Sequence, residues 1–339
     1  MENKKYFNET NYMKGVAILL VFIGHAATPS FLIRPYGYEF VVQFIYLIHM
    51  PVFFFVSGFL SVKILTMDLK NSYYKFIKSK FLRLGVPFLT LSFITNFLII
   101  SLKALTNSNL SIKDILEMIK VVLFYPETSV MGALWFLYTL LIIFVISPLL
   151  VKSPMKILLL ATIILNIFSP RYVHFLAFGR ISFFLIFYLF GLIVRKNYDK
   201  FKSIINKNNI VISLIAFITI FINAYIYSKE ITLNTYLLNI LSFISGILGI
   251  LIIYILINTI KSSKINKALN ILGKYSLDIY IFSWFFQIIS MILITKILKI
   301  QNYHIFFISN MLVGSLCLPF SIYFIRKIKI FRVLLLGIN

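Results

Sequence analysis

Apolar runs of 16 to 24 residues follow one another through almost the whole of this 339-residue chain. They fall near 13–33, 40–62, 82–102, 132–151, 155–170, 173–194, 209–227, 236–259, 275–298 and 303–325. A helix needs about 20 apolar residues to cross the roughly 30 Å of hydrocarbon in a bilayer, and most of these runs are long enough. Stretches such as Leu141–Val145 and Ile247–Ile257 are apolar all round, whereas a helix lying on a soluble core keeps a polar face. The pattern predicts an all-α, polytopic membrane protein of about ten transmembrane helices. The run 155–170 is the shortest and the stretch 132–194 the most crowded, so the count of ten is most open there. With 60% hydrophobic and 13% charged residues, against roughly 45–50% and 25% in a soluble domain, the composition excludes a water-soluble fold. There is no repeat of fixed period and no linker rich in Pro or Gly, so residues 1–339 read as a single domain.

A formal net charge of +23 would suit a nucleic-acid binder if the basic residues formed one patch. They lie instead between the apolar runs, and membrane topology explains them. Segments 1–14, 63–83, 152–156, 195–207, 261–274 and 326–332 hold 24 of the 33 Lys and Arg residues, the alternate segments hold 8, and Arg180 falls within a run. Positive residues favour the cytoplasmic side, so the bias predicts both termini inside and no nucleic-acid partner. Lys4, Lys5 and Lys14 before the first run, with Ala26 and Ala27 near its end, imitate a cleaved secretory signal. A run of about 20 residues is long enough to span, and the sequence predicts that it is retained as the first helix. The lone Cys317 excludes a disulfide framework and a multi-cysteine metal site, and no metal is expected.

Ionisable residues inside the membrane are the informative ones, because burying charge in hydrocarbon costs several kcal/mol. They are His25, His49, Arg180 and Asp278, with Lys14, Arg83, His174 and His304 near the boundaries. Lys14 and His25 are eleven residues apart, which on a helix is about 20° from three full turns, with a rise of roughly 16 Å. They share a stripe, with Lys14 at the cytoplasmic level and His25 near mid-span. His49 lies nine residues into the second run, at similar depth. Two imidazoles so placed can share a proton, orient one another, or act as general base on a hydroxyl. The bland alternative is a pair of interior histidines, each bonded to a backbone carbonyl.

After His49, Pro51 interrupts the helix bonding and Ser57-Gly58 permits close helix approach. Lys80 and Arg83, three apart at the start of the third run, suit either anchoring to anionic lipid or a phosphate clamp. On the outer side, Ser111 and Asp114 read as N-cap and N3 of a short amphipathic helix that suits a lid. Glu127 and Trp135 suit an acceptor site, a ring to stack a sugar and a carboxylate to receive its hydroxyls, although aromatic residues also form an interfacial belt. Arg180 needs a counter-charge, and Asp278 is one candidate.

Taken together, Lys14-x10-His25, His49-Met50-Pro51-x-Phe53-Phe54-Phe55-x-Ser57-Gly58, Lys80-x-x-Arg83 followed by Pro87, and Leu134-Trp135-Phe136-Leu137 resemble the acyltransferase-3 family of membrane O-acyltransferases, in particular its fucose 4-O-acetylase-like branch. The motifs lie in the first four runs, and the ten-helix pattern covers nearly the whole chain. The resemblance implies transfer of an acyl group, usually acetyl from cytoplasmic acetyl-CoA, to a hydroxyl of a surface or exported glycan, in a bacterial inner membrane. It makes His25 the essential histidine and gives the basic positions to Lys14, Lys80 and Arg83, two of which are Lys where many relatives have Arg. Ser283 stands in Ser276–Trp284 where the family often has His, so the ninth run is given no catalytic role.

The expected site is therefore His25 and His49 as catalytic residues, Lys14, Lys80 and Arg83 on the phosphates of acyl-CoA, and Glu127 and Trp135 on the glycan. Direct transfer and an acyl-enzyme relay both remain open. A transporter or flippase of a glycan or lipid-linked sugar is the main rival, against which stand the lack of repeated halves and the scarcity of midplane carboxylates. An assembly partner in an envelope complex is a third.

Overall fold

The computed structural model describes residues 8–27, 32–107 and 111–338, apart from the side chains of 102–107. Lys4 and Lys5 lie outside the described residues. Among the described residues there is no strand, and the chain runs helix after helix: α1 (Asn8–Ala27), α2 (Tyr36–Leu60), α3 (Leu69–Lys80), α4 (Val86–Asn107), α5 (Ile112–Phe124), α6 (Trp135–Leu150), α7 (Met155–Ile167) and α8 (Phe178–Lys196). Then come α9 (Tyr198–Ser228), α10 (Thr235–Thr259), α11 (Ser263–Lys274), α12 (Ser276–Ile292), α13 (Tyr303–Ser315), α14 (Cys317–Phe320) and α15 (Lys329–Leu336). Single π turns at Phe81–Gly85, Leu293–Ile297 and Ser321–Ile325 join or extend helices.

Among the described residues, nine helical stretches are long and apolar enough to cross a membrane. The protein is a multi-pass membrane protein, as the apolar runs predict. The tenth candidate, α7, has 13 residues, about 20 Å of helix against the roughly 30 Å of hydrocarbon. The count of ten is thus short by one unambiguous span, at the place the sequence left most open. His25 lies in the last described turn of α1, Asn8–Ala27.

The chain packs as two compact units, Met1–Val62 with Phe187–Ile322, and Lys63–Ile186 with Tyr323–Asn339. In the first unit, small residues let backbones approach. A Cβ on Gly58 of α2 would lie 1.9 Å from the Tyr188 carbonyl oxygen, and one on Gly191 of α8 would lie 2.0 Å from that of Phe55. The two helices thus meet main chain to main chain, as small residues permit in membranes where no hydrophobic force drives association. Ser57 bonds within its own helix, donating to the Phe53 carbonyl at 2.8 Å. Further along, α1 packs on α11 through Gly15, whose added Cβ would meet the Leu269 carbonyl, and through an Asn11 to Asn270 hydrogen bond. The outward side of α9 is a run of exposed Ile, Val, Leu and Phe side chains, Ile210 to Phe221, whose fit is to lipid tails.

In the second unit, α3 has no buried residue and carries Lys70, Lys75, Lys78 and Lys80, as suits a helix at a headgroup boundary. α5 begins with a reciprocal capping box, Ser111 Oγ accepting from the Asp114 N–H and the Asp114 carboxylate from the Ser111 N–H, as the sequence predicts. At the far end, α15 stops at Gly337 in the left-handed region, φ +61°. A Cβ there would also lie 2.1 Å from the Leu82 carbonyl oxygen, so glycine is required twice over.

Candidate active site

In the first unit, α1 and α2 lie against one another at the level of the two histidines. A Cβ on Gly24 would approach Tyr46 Cε1 to 2.9 Å and Ile45 Cγ2 to 3.4 Å, so the turn before His25 faces the turn before His49. His49 is buried, and its Nδ1 lies 2.7 Å from the Ile45 carbonyl oxygen. A carbonyl only accepts, so Nδ1 carries the proton and Nε2 keeps a free lone pair. The bond also bends the ring back along α2 toward the Gly24 level, the direction helical side chains favour. His25 follows Gly24 on the face of α1 turned to Ile45 and Tyr46, so the two imidazoles stand on adjoining turns of α1 and α2. Part of the His25 side chain is accessible, but its Nδ1 is buried and has no hydrogen-bond partner. One imidazole is thus fixed by the main chain with its base nitrogen available, and the other is held without that constraint.

Lys14, on the same helix three turns before His25, sits partly buried where α1 packs on α11. Tyr303 and Asn310 of α13 and Gln287 of α12 all donate to carbonyls at the C-terminal end of α1, those of Ala27, Ala26 and Phe22. These side chains thus add donors to the main chain of the last turns of α1. Reading the sequence for ionisable groups alone passed over Gln287 and Asn310. The signal was there, since an amide inside an apolar run needs partners just as a charge does. Asp278, buried on α12, accepts from Ser321 Oγ at 2.6 Å.

In the second unit, the basic pair is divided. Lys80 Nζ rests 4.1 Å from the centre of the Phe144 ring, while Arg83 Nη1 donates to the Leu336 carbonyl at 2.9 Å and so caps the end of α15. The π turn Phe81–Gly85 begins directly after Lys80, and it widens the helix so that spacing by three no longer aligns the two side chains.

Glu127, Trp135 and Arg180 come together in the same unit. Leu176 and Ala177 both take positive φ, 51° and 53°, and turn the chain sharply between His174 and α8. Both flanking side chains then reach Glu127: Arg180 Nε donates to Oε2 at 3.0 Å, and His174 Nδ1 lies 3.3 Å from the same oxygen. Non-glycine residues held in this region store strain, which persists only where surrounding contacts over-determine it. The Glu127 side chain is only 6% exposed, and its Oε1 is buried with no partner. The Arg180 guanidinium lies 4.6 Å from the Trp135 ring centre, and Phe184 stacks on that ring at 5.4 Å. The carboxylate that neutralises Arg180 is therefore Glu127 and not Asp278, which pairs with Ser321.

Apolar helices around a fixed imidazole with a free base nitrogen describe an integral-membrane protein with an interior suited to proton transfer. The acyltransferase domain family matches residues 7–325, and the chain belongs to that acyltransferase-3 family. No curated protein and no solved structure is similar enough to match the chain. The family match spans both compact units.

Proposed function

We propose that the protein is an O-acyltransferase of a bacterial inner membrane that moves an acetyl group from cytoplasmic acetyl-CoA to a hydroxyl of a surface or exported glycan. The observation that carries the reading is the His49 tautomer: Nδ1–H is held by the Ile45 carbonyl, so Nε2 can take a proton, with a second imidazole at His25 on the adjoining turn of α1. The acceptor O–H gives its proton to an imidazole as its oxygen attacks the thioester carbonyl. The C–S bond then breaks, and coenzyme A leaves as a thiolate that takes up that proton. Either His25 or His49 can be the base. The fixed tautomer favours His49 as base and His25 as its partner on the leaving group, the reverse of the order that the motif suggests.

Lys14, Lys80 and Arg83 are the residues for the donor's phosphates, with Lys as point charges where Arg would grip two oxygens. Glu127 and Trp135 are the residues for the acceptor, joined by Arg180 and His174, which hold Glu127. Both compact units act as one acyltransferase domain. The experiment is transfer of radiolabelled acetyl from acetyl-CoA to cell-envelope polysaccharide by the purified protein in lipid nanodiscs. Label in the glycan supports the reading, and its absence with every acceptor and acyl-CoA supplied removes it.

Orientation turns on α7. If α7 crosses, 24 basic residues fall on the side of the N-terminus and 8 opposite; if it does not, the helices after it invert and the split becomes 15 to 17. A membrane protein keeps a positive-inside bias, so α7 is read as crossing, by local thinning or tilt of its neighbours, with both termini cytoplasmic. A reporter fused after Lys202 reads cytoplasmic on this view and one after Lys113 reads outside. Matching signals from both fusions would reject it.

A further inference from the structure

Gln287 and Asn310 each use one half of an amide. Their nitrogens donate to α1, Gln287 Nε2 to the Phe22 carbonyl at 3.1 Å and Asn310 Nδ2 to the Ala26 carbonyl at 3.0 Å. Because carbonyls only accept, these bonds fix which end of each amide is oxygen. Both oxygens, Gln287 Oε1 and Asn310 Oδ1, are buried and have no partner among the described residues. The side chains are 4% and 2% exposed. Ser283, one turn before Gln287 on α12 and 0% exposed, has an unpartnered Oγ as well.

The Gln287 and Asn310 amides lie against the turn of α1 that carries His25. The carbonyl of a helical residue points along the axis, between the side chains three and four positions on. A donor on the Phe22 carbonyl therefore lies beside His25 and Ala26, and the Ala26 methyl leaves it room. Gly314, one turn beyond Asn310, closes the arrangement, since its added Cβ would stand 2.9 Å from both Gln287 Cγ and Phe22 Cε2. His25 Nδ1 is itself buried without a partner. A buried acceptor without a donor costs about 1–3 kcal/mol, and several of them side by side call for a reason beyond holding helices together. The clamp on α1 explains the nitrogens and leaves the oxygens over.

We propose that Gln287 Oε1 and Asn310 Oδ1, with Ser283 Oγ one turn below Gln287, form a subsite on the His25 side of α1 that receives neutral hydrogen-bond donors of a bound substrate. Resting on the acyltransferase reading, it takes either sugar O–H groups of the acceptor or the two amide N–H groups in the pantetheine arm of an acyl-CoA. An acceptor-lined, uncharged wall selects such groups over anions, which would meet oxygens only.

The test uses Gln287→Met and Asn310→Leu, which keep bulk and lose the amide, in nanodiscs with acetyl-CoA and alkali-deacetylated cell-envelope polysaccharide. Each variant should raise one KM by about 3–10-fold, the effect of one neutral hydrogen bond. The other KM should stay within about twofold of the parent. A rise for acetyl-CoA assigns the subsite to the pantetheine amides, and a rise for the polysaccharide assigns it to sugar hydroxyls. If only kcat falls, together with the unfolding temperature, the amides merely clamp α1 and the subsite is wrong. A parent protein that transfers normally beside variants with parental KM values for both substrates overturns the subsite alone. A parent that neither binds nor transfers acetyl overturns the acyltransferase reading, and the subsite with it.

Discussion

The two polar centres of the molecule solve the burial problem in opposite ways. In the first unit, His49, Gln287 and Asn310 are neutral, and each is held by a main-chain carbonyl of a neighbouring turn or helix. In the second, Glu127 has a 6% exposed side chain paired at 3.0 Å with an Arg180 that remains 40% exposed. Neutral groups can be desolvated at modest cost when bonded, whereas a charge needs a partner, and that partner here retains its water. A centre of the first kind suits proton transfer away from water, and one of the second suits recognition of polar ligands. Substitutions in the two centres should therefore fail differently.

The largest effect is expected in the first centre. His49→Ala and His25→Ala should each lower acetyl transfer by about 10²–10⁴-fold at equal amounts of inserted protein, the usual contribution of a general base. If the two imidazoles act as a unit, the double variant loses little more than either single one. The comparison breaks if His49→Ala transfers at the parent rate, because the Ile45 bond would then be a packing device and the base lie elsewhere.

A smaller effect, of another kind, is expected in the second centre. Glu127→Gln keeps the shape but removes the charge that holds Arg180 and His174. The KM for the glycan should rise by up to about tenfold, reduced from the buried-pair range because Arg180 is partly exposed, while the KM for acetyl-CoA is unchanged. Steady-state kinetics with each substrate varied in turn decide it. An equal rise in both values would mean that Glu127 supports the fold and not a ligand.

What the sequence made legible follows from the periodicity and chemistry of single helices. The long apolar runs and the Ser111–Asp114 cap depend on residues a few positions apart, and Gly58 announces a close helix approach without naming Tyr188 as its partner; the structure has each of them. The partner of Arg180 could not be read, because Glu127 lies 53 positions away and reaches it only through the left-handed turn at Leu176 and Ala177. Nothing in Leu-Ala announces such a turn, which glycine would ordinarily mark. The bend of Lys80 away from Arg83 was equally hidden, since a π turn has no composition of its own.

The smallest expected effect lies at Arg83, where two accounts make different predictions. One holds that Arg83 binds a donor phosphate; the other that it closes the chain end, since its Nη1 already donates to the Leu336 carbonyl and Gly337 packs on Leu82 and Arg83. A guanidinium has five N–H donors, so a bond to a carbonyl and contact with an anion are compatible in principle. Arg83→Gln should raise the KM for acetyl-CoA a few-fold, about what one screened charge at a boundary contributes. Deleting residues 329–339 separates the accounts. A phosphate ligand freed from α15 still binds, so the truncated protein keeps its acetyl-CoA KM and Arg83→Gln still raises it in that background. If Arg83 only caps α15, truncation alone reproduces the loss, and adding Arg83→Gln changes nothing further. Raising the salt concentration gives an independent reading, because a phosphate contact at a boundary weakens as ions screen it and a bond to a neutral carbonyl does not.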